Sequence, residues 1–211
     1  MGRCTIVRHG GLRPTKLPKN LFLSSMSKMR FVSAIVVFAS LSAFGAPSKD
    51  ETLQIFEGKD TFTLNVPIGK LSMSIPKNGL SGGKKTREGS TADPRYFFFE
   101  DKKEGIIVSG WFESAGRFSS VKKIWEGDTK QWSRQGLPAP TNASFQKSDR
   151  WDVVIYDMPV PVGSNTHIRA HWVQAGTWID LHLSLTSGRP IGECRELMMT
   201  LLKSIQVKDK K

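Results

Sequence analysis

Five polar side chains near the C-terminal end of the chain have types and spacings suited to chemistry. His167, Arg169 and His171 alternate along one run, and Asp180 and His182 alternate along the next. Imidazole and carboxylate groups suit zinc or copper, so the two histidines His171 and His182 could hold a metal together with Asp180. Alternatively, Asp180 could orient His171 as a general base while Arg169 binds an anionic ligand. We favour a third interpretation, a sheet face that is solvated, or covered by a helix with its polar groups paired.

A β-hairpin over residues 166–187 would place these five side chains on one face. Its two alternating runs flank Ala175-Gly176, where glycine tolerates the positive φ of a tight turn. The predicted cross-strand pairs on the polar face are His171 with Asp180 and Arg169 with His182. The opposite face is apolar, which predicts a place in the core for Ile168, Ala170, Trp172, Ile179, Leu181 and Leu183.

Motifs elsewhere in the chain do not point to an enzyme. The sequence contains no serine-hydrolase elbow, no HExxH zinc motif, no CxxC pair and no dinucleotide fingerprint. The stretch Gly82–Thr86 resembles a phosphate-binding loop, but Asn78 and Lys85 stand where that motif needs Gly and Ser or Thr. We therefore interpret residues 77–94 as a polar surface loop, and we predict no cofactor. Cys194 lies in an apolar helical pattern, which predicts a buried thiol without a disulfide.

The pattern of elements predicts an α+β fold, with a mainly antiparallel sheet flanked by two main helices. Short alternating runs between turn residues predict strands over 53–56, 61–66, 71–75, 96–99, 105–112, 143–147 and 151–157. One helix is predicted over 119–135, with an apolar stripe that Asp128 interrupts. Pro190 is predicted to open the second helix, which 204–207 follow as a last strand. The expected organisation is a single domain over 53–207 and a charged tail over 208–211.

The N-terminal part of the chain has the pattern of an export signal. Lys28 and Arg30 precede the apolar run FVSAIVVFASLSAF, and small residues follow, which is typical of a secretory signal peptide over residues 26–45. Cleavage is expected after Gly45, leaving 46–52 as a flexible N-terminus. Residues 1–25 are unusual before such a signal. They are interpreted as an upstream misassigned start, with Met26 or Met29 as the true one, or as an extended basic region.

Net charge follows the same division of the chain. The whole chain carries a net charge of +12, but residues 1–45 hold seven basic residues and no acidic one. The remainder has 24 basic and 19 acidic residues, a net charge of +5. Because a mildly basic surface is common, we expect no nucleic-acid partner. Contact with a membrane is expected only through the signal peptide during export.

The order of these elements resembles that of a known family. The run FTLNVPIGKLSMSIP, the hairpin that ends in SGWFE, a helix, paired strands and the closing ELMMTLLKSIQV are similar to the PsbP-like fold. That group includes the extrinsic P subunit of photosystem II and small exported bacterial proteins of the DcrB type. The resemblance implies an α/β sandwich with an accessory or binding role. It implies no catalytic residues.

Together these features predict an exported, periplasmic or extracellular, non-catalytic binding or accessory protein of the cell envelope. Its partner would be an unidentified envelope protein or a small ligand. One alternative is a hydrolase or metal-binding protein that uses the face of His167, His171, Asp180 and His182. A further alternative is a protein-interaction factor, such as a toxin-neutralising protein.

Overall fold

The alternating segments of the sequence fold into two antiparallel sheets, which a computed structural model describes for residues 53–66, 70–83 and 95–210. One sheet has the strand order β1-β2-β3-β11 and the other the order β4-β5-β6-β10-β9-β8-β7. The strands are β1 Gln54–Glu57, β2 Thr61–Val66, β3 Leu71–Pro76, β4 Ser81–Gly83, β5 Tyr96–Asp101, β6 Ile106–Ser114, β7 Thr141–Ser148, β8 Trp151–Asp157, β9 Ser164–Gln174, β10 Thr177–Ser187 and β11 Gln206–Asp209. The predicted α+β class and its antiparallel pairing are confirmed. The predicted signal peptide and N-terminal segments 1–52 lie outside the described residues.

Two details of the sequence interpretation are wrong. The predicted polar loop 77–94 contains the short strand β4, which pairs with β5; its residues 84–94 lie outside the described part. The predicted charged tail 208–211 is partly a strand, because Lys208 pairs with Ser72 and Asp209 with Leu71. An edge strand is held by its backbone hydrogen bonds, so charged side chains on it do not prevent pairing.

The apolar faces of the two sheets meet in one core. Phe62 of β2 stacks on Phe99 of β5 at 4.3 Å between ring centroids, which joins the sheets directly. The predicted apolar face of the β9–β10 hairpin is buried in the same core, as expected from the two-residue period of a strand. Ala175 and Gly176 both have positive φ at the hairpin turn, which confirms the predicted turn residues.

Helix α2, Ile191–Ser204, completes this core. It packs on β9, β10 and β3, and it buries Cys194, Met198, Leu201 and Leu202. The prediction of a buried thiol at Cys194 is therefore confirmed. Glu193 in the first turn and Lys203 in the last turn suit the helix dipole.

Helix α1, Val121–Arg134, lies on the opposite face of the seven-stranded sheet, which we call the α1 face. The Ser120 hydroxyl caps it by accepting a hydrogen bond from the backbone N–H of Lys123 at 3.2 Å. Of its fourteen residues only Asp128 and Trp132 are buried. Helix α1 is thus a lightly attached cover, and it stands over the polar side of the hairpin. Within the described residues, no helix is both long and apolar enough to cross a membrane.

Gly110 of β6 has no side chain, and this leaves room for the backbone of the neighbouring strand β10 and for the ring of Phe97. A Cβ added there would lie 2.5 Å from the backbone oxygen of Asp180 and 2.9 Å from Cζ of Phe97. Gly110→Ala is therefore expected to lower the free energy of unfolding by about 1–3 kcal/mol, because the backbone must shift. Chemical denaturation followed by tryptophan fluorescence would measure this.

Gly127 of α1 provides the matched control. Nothing lies within 4 Å of a Cβ built there. Gly127→Ala is expected to raise the free energy of unfolding by about 0.5–1 kcal/mol, since alanine favours the helix. Equal effects of the two substitutions would contradict the close approach at Gly110.

Candidate functional site

Strand register brings polar side chains on the α1 face into transverse rows. The predicted pairing within the hairpin is confirmed, because His171 lies opposite Asp180 and Arg169 opposite His182. Strand β8 adds a third member to each row on the far side of β9. The rows are Asp152–His171–Asp180, Val154–Arg169–His182 and Tyr156–His167–Ser184. The five side chains identified in the sequence therefore share one surface, at the middle of the sheet.

Arg169 is the centre of this surface. Its Nε donates to Oδ1 of Asp180 at 2.9 Å, and its Nη2 donates to Oδ2 of the same carboxylate at 2.5 Å. Its Nη1 donates to Oδ2 of Asp128, which comes from α1. A planar guanidinium can bind two carboxylates in this way because its donors point in fixed directions. The contact with Asp128 joins α1 to the hairpin through an ion pair.

We call Asp128, His167, Arg169, His171, Asp180 and His182 the buried polar cluster; Asp128, His171 and Asp180 are buried, and the other three are half-buried. Burial would raise the pKa of the Asp180 carboxyl, but the charge and hydrogen bonds of Arg169 outweigh it and the pKa is lowered. For Asp128 burial is the larger effect, and its pKa is raised despite Arg169. Burial tends to lower the pKa of Arg169, and the two carboxylates raise it above its usual value. The guanidinium therefore stays charged between the two acids.

His171 does not have the arrangement of an oriented base. The indole N–H of Trp178 can only donate, and it lies 3.2 Å from Nδ1 of His171. Nδ1 is therefore an acceptor and the ring proton is on Nε2, which is buried without a hydrogen-bond partner. Nδ1 is also 3.5 Å from Oδ1 of Asp180, and it has no proton to donate to it. The alternative of a His171–Asp180 general-base pair is not favoured by this geometry, because Asp180 is bound to Arg169.

His167 and His182 form a pair of their own. Nδ1 of His167 lies 3.0 Å from Nε2 of His182, so a single proton is shared between two facing nitrogens. The His167 ring is parallel to that of Tyr156, at 5.0 Å between centroids. Burial, and in second place the neighbouring His182, keep the pKa of His167 well below its usual value. Burial also lowers the pKa of His182 and of His171, in each case to about 4.

The geometry does not favour the alternative of a metal site formed by His171, His182 and Asp180. Within the described part of the chain, no three His, Cys, Asp or Glu side chains converge as metal ligands do. Both oxygens of Asp180 bind Arg169, whose positive charge would also repel a cation. The two histidines face different partners, one Trp178 and the other His167.

Asp128 and Tyr156 belong to this site, and the sequence interpretation did not place them there. Asp128 looked like an interruption of the apolar stripe of α1. An ionisable residue on the buried side of an amphipathic helix is rarely left without a partner, so its position was a usable signal of an ion pair. No such signal pointed to Tyr156, because β8 reads as an ordinary buried strand.

Comparison with known proteins does not assign a family. No protein-family model and no curated protein matches this chain. A solved structure from Bacteroides thetaiotaomicron VPI-5482, determined at 1.50 Å resolution, is 13% identical and covers 67% of this chain, with a TM-score of 0.39. The match covers 46% of that protein, so this chain corresponds to less than half of its length. At that TM-score the similarity carries no argument about fold or function.

Proposed function

We propose that this chain is an exported, non-catalytic binding or accessory protein of the cell envelope. The observation that carries the non-catalytic part is that members of the buried polar cluster bind one another. Arg169 is shared by two carboxylates, Trp178 donates to His171, and His167 faces His182. Such an arrangement pairs most of these polar groups with one another and leaves few of them for a substrate; Nε2 of His167 and Nε2 of His171 have no hydrogen-bond partner.

Burial of the two groups that would act as acid and base supports the same proposal. The His171 side chain is 1% exposed, and Asp180 is also buried. A general base must come within hydrogen-bond reach of the proton that it removes. The hydrolase alternative would therefore need the side chains that pack on His171, among them Phe118 and Trp178, to move aside before any reaction.

A role in protein interaction is the second candidate function, and one observation favours it. Val173 is 44% exposed at the end of β9, on the α1 face. Its cross-strand neighbour Trp178 is half-buried, and that ring packs against Phe118 at 5.6 Å between centroids. An exposed aliphatic side chain beside two aromatic rings is suited to contact with an envelope protein.

The resemblance to the PsbP-like group belongs to this proposal. The antiparallel sheets, the single long helix between β6 and β7, and the closing helix followed by β11 agree with the element order on which the resemblance rests. An accessory role of the PsbP-like kind would require export, which the sequence pattern of residues 26–45 predicts.

Export is tested by expressing the full chain in a Gram-negative bacterium and measuring its intact mass in each cell fraction. The expected product is a periplasmic protein that begins at Ala46. A Val36→Arg variant, which places a charge in the apolar run, is expected to remain uncleaved in the cytosol. Recovery of the uncleaved wild-type chain from the cytosol would contradict the proposal.

Elemental analysis of the same purified protein tests the metal-binding alternative. We expect elemental analysis to find no stoichiometric zinc or copper. Stoichiometric metal that disappears in a His171→Ala, His182→Ala double variant would instead support a metal-dependent function.

A further inference from the structure

We propose that α1 is a pH-sensitive cover that the His167–His182 pair releases from the sheet on acidification, exposing the aromatic surface beneath it. This proposal does not depend on the export or binding role proposed above. It rests on the contacts that attach α1 to the sheet, on the side chains that lie beneath those contacts, and on the effect of protonating the histidine pair.

Helix α1 is attached to the sheet at two places. One is the ion pair of Asp128 with Arg169. The other is aromatic, where Trp125 and Trp132 pack on Tyr156 of β8 at 4.7 and 5.6 Å between centroids, and Trp125 also meets Phe145 of β7 edge-on at 6.3 Å. The rest of the helix is mostly exposed. Strands β9 and β10, in contrast, are hydrogen-bonded on both sides within the seven-stranded sheet. The helix can therefore detach with a smaller loss of contacts than any central strand.

The histidine pair is in direct contact with the aromatic attachment. His167 lies parallel to Tyr156 at 5.0 Å, and Tyr156 in turn supports both tryptophans of α1. A displacement of the His167 ring would therefore disturb Tyr156, on which both tryptophans of α1 pack. The partner His182 is the cross-strand neighbour of Arg169, which binds the helix at its other attachment point.

The fully protonated pair cannot be accommodated in the closed arrangement. The two facing nitrogens are 3.0 Å apart and share one proton, so protonating both rings leaves two donors facing each other. A first added proton on an outer nitrogen, such as Nε2 of His167, keeps that bond but places a charge where the nitrogen has no hydrogen-bond partner. The added charge also lies near the Arg169 guanidinium, which lowers the pKa of His182. Detachment of α1 lets water reach the rings and restores their ordinary affinity for protons. Acid therefore favours the open form.

Two carboxylates around the pair oppose this effect. Asp180 favours a protonated His182, but its charge is already shared with Arg169. The pKa of Asp128 is raised from 3.8, so acid favours the closed form through this group. The ionisable groups that face the histidines of the cluster are Asp152 and Tyr156 of β8, Arg169 of β9 and Asp180 of β10. Asp128 of α1 acts on Tyr156 and Arg169.

Hydrogen exchange with mass spectrometry tests the proposal in the wild-type full chain. Peptides from α1 are compared with peptides from β6 and β10 between pH 7 and pH 4.5, after correction for the intrinsic pH dependence of exchange. We expect protection of α1 to fall by about tenfold per pH unit for each linked proton, while β6 and β10 stay protected. Loss of protection in all peptides together, or in none, would overturn the proposal.

Two variants assign the effect to the histidine pair. In a His167→Gln, His182→Gln variant, the protection of α1 is expected to be nearly independent of pH in this range. Asp128→Asn removes the other attachment, so α1 is expected to be less protected already at pH 7 and to keep its pH dependence. If the double variant does not fold, His182→Gln alone serves, and an unchanged pH dependence in it would also overturn the proposal.

Discussion

Replacing Arg169 with methionine is expected to lower the free energy of unfolding by about 3–5 kcal/mol. The substitution keeps most of the side-chain volume but leaves two carboxylates without their partner. Asp128 and Asp180 are both buried, so neither can be solvated without disturbing α1 or the hairpin. An unpaired charge under a helix is far less favourable than the same charge in water. The measurement is urea denaturation at pH 7, followed by tryptophan fluorescence and by circular dichroism.

Three further variants give this prediction its controls. Arg134→Met changes an exposed arginine in the last turn of α1, and we expect an effect within about 0.5 kcal/mol. Arg169→Lys keeps the charge but cannot bind Asp180 through two parallel donors, so an intermediate loss is expected. In the triple variant Asp128→Asn, Arg169→Met, Asp180→Asn no charge remains, and much of the lost stability is expected to return. An effect of Arg169→Met as small as that of Arg134→Met would show that the cluster does not contribute to stability.

Lowering the pH from 7 to 5 is expected to reduce the free energy of unfolding by about 2 kcal/mol for each of His171 and His182. The pKa of each is lowered from 6.5 to about 4 in the folded protein. The unfolded chain therefore binds protons at a pH where the folded chain does not. Their contribution is fully present above pH 6.5 and is lost progressively as the pH falls towards 4. His167 acts in the same direction, since its pKa is also lowered.

The two carboxylates of the cluster contribute with opposite signs. The pKa of Asp180 is lowered, so its contribution is lost only as the pH falls below 3.8. The pKa of Asp128 is raised, so protonation of that group in acid stabilises the folded protein. Urea denaturation at several pH values measures the sum. A His171→Gln, His182→Gln variant is expected to depend less on pH, and equal wild-type stability at pH 7 and pH 5 would contradict the predicted burial of these rings.

The exchange experiment and this measurement report different events. Denaturation follows loss of the whole fold, whereas exchange in α1 follows local opening. If the wild-type protein loses stability in acid while α1 and β10 open together, the histidines are buried as described but do not act on α1 separately.

Much of the candidate site could be predicted from the sequence, because a hairpin has few degrees of freedom. The turn at Ala175-Gly176 fixes the register, and the two-residue period of a strand then assigns every side chain to a face. The apolar residues had to be on the core side. The pairs of His171 with Asp180 and of Arg169 with His182 followed from the same reasoning.

The partners of those side chains could not be predicted in the same way. Asp180 lies directly opposite His171, yet it binds the diagonal neighbour Arg169. The choice depends on a planar donor group that also meets Asp128, forty-one positions away in the chain. The indole N–H of Trp178 donates to Nδ1 of His171, which is the nitrogen that a catalytic pair with Asp180 would have needed.

For this protein, then, local sequence determined most of the strands, the turn, the two faces of the hairpin and the positions of the two helices, but not the short strand β4. These depend on backbone geometry and on side-chain period within a few residues. The tertiary structure alone decided that α1 covers the polar face, that Asp128 completes the ion pair, and that His167 and His182 share a proton next to Tyr156. Those features depend on where distant elements meet, and on the requirement that a charge removed from water must find a partner.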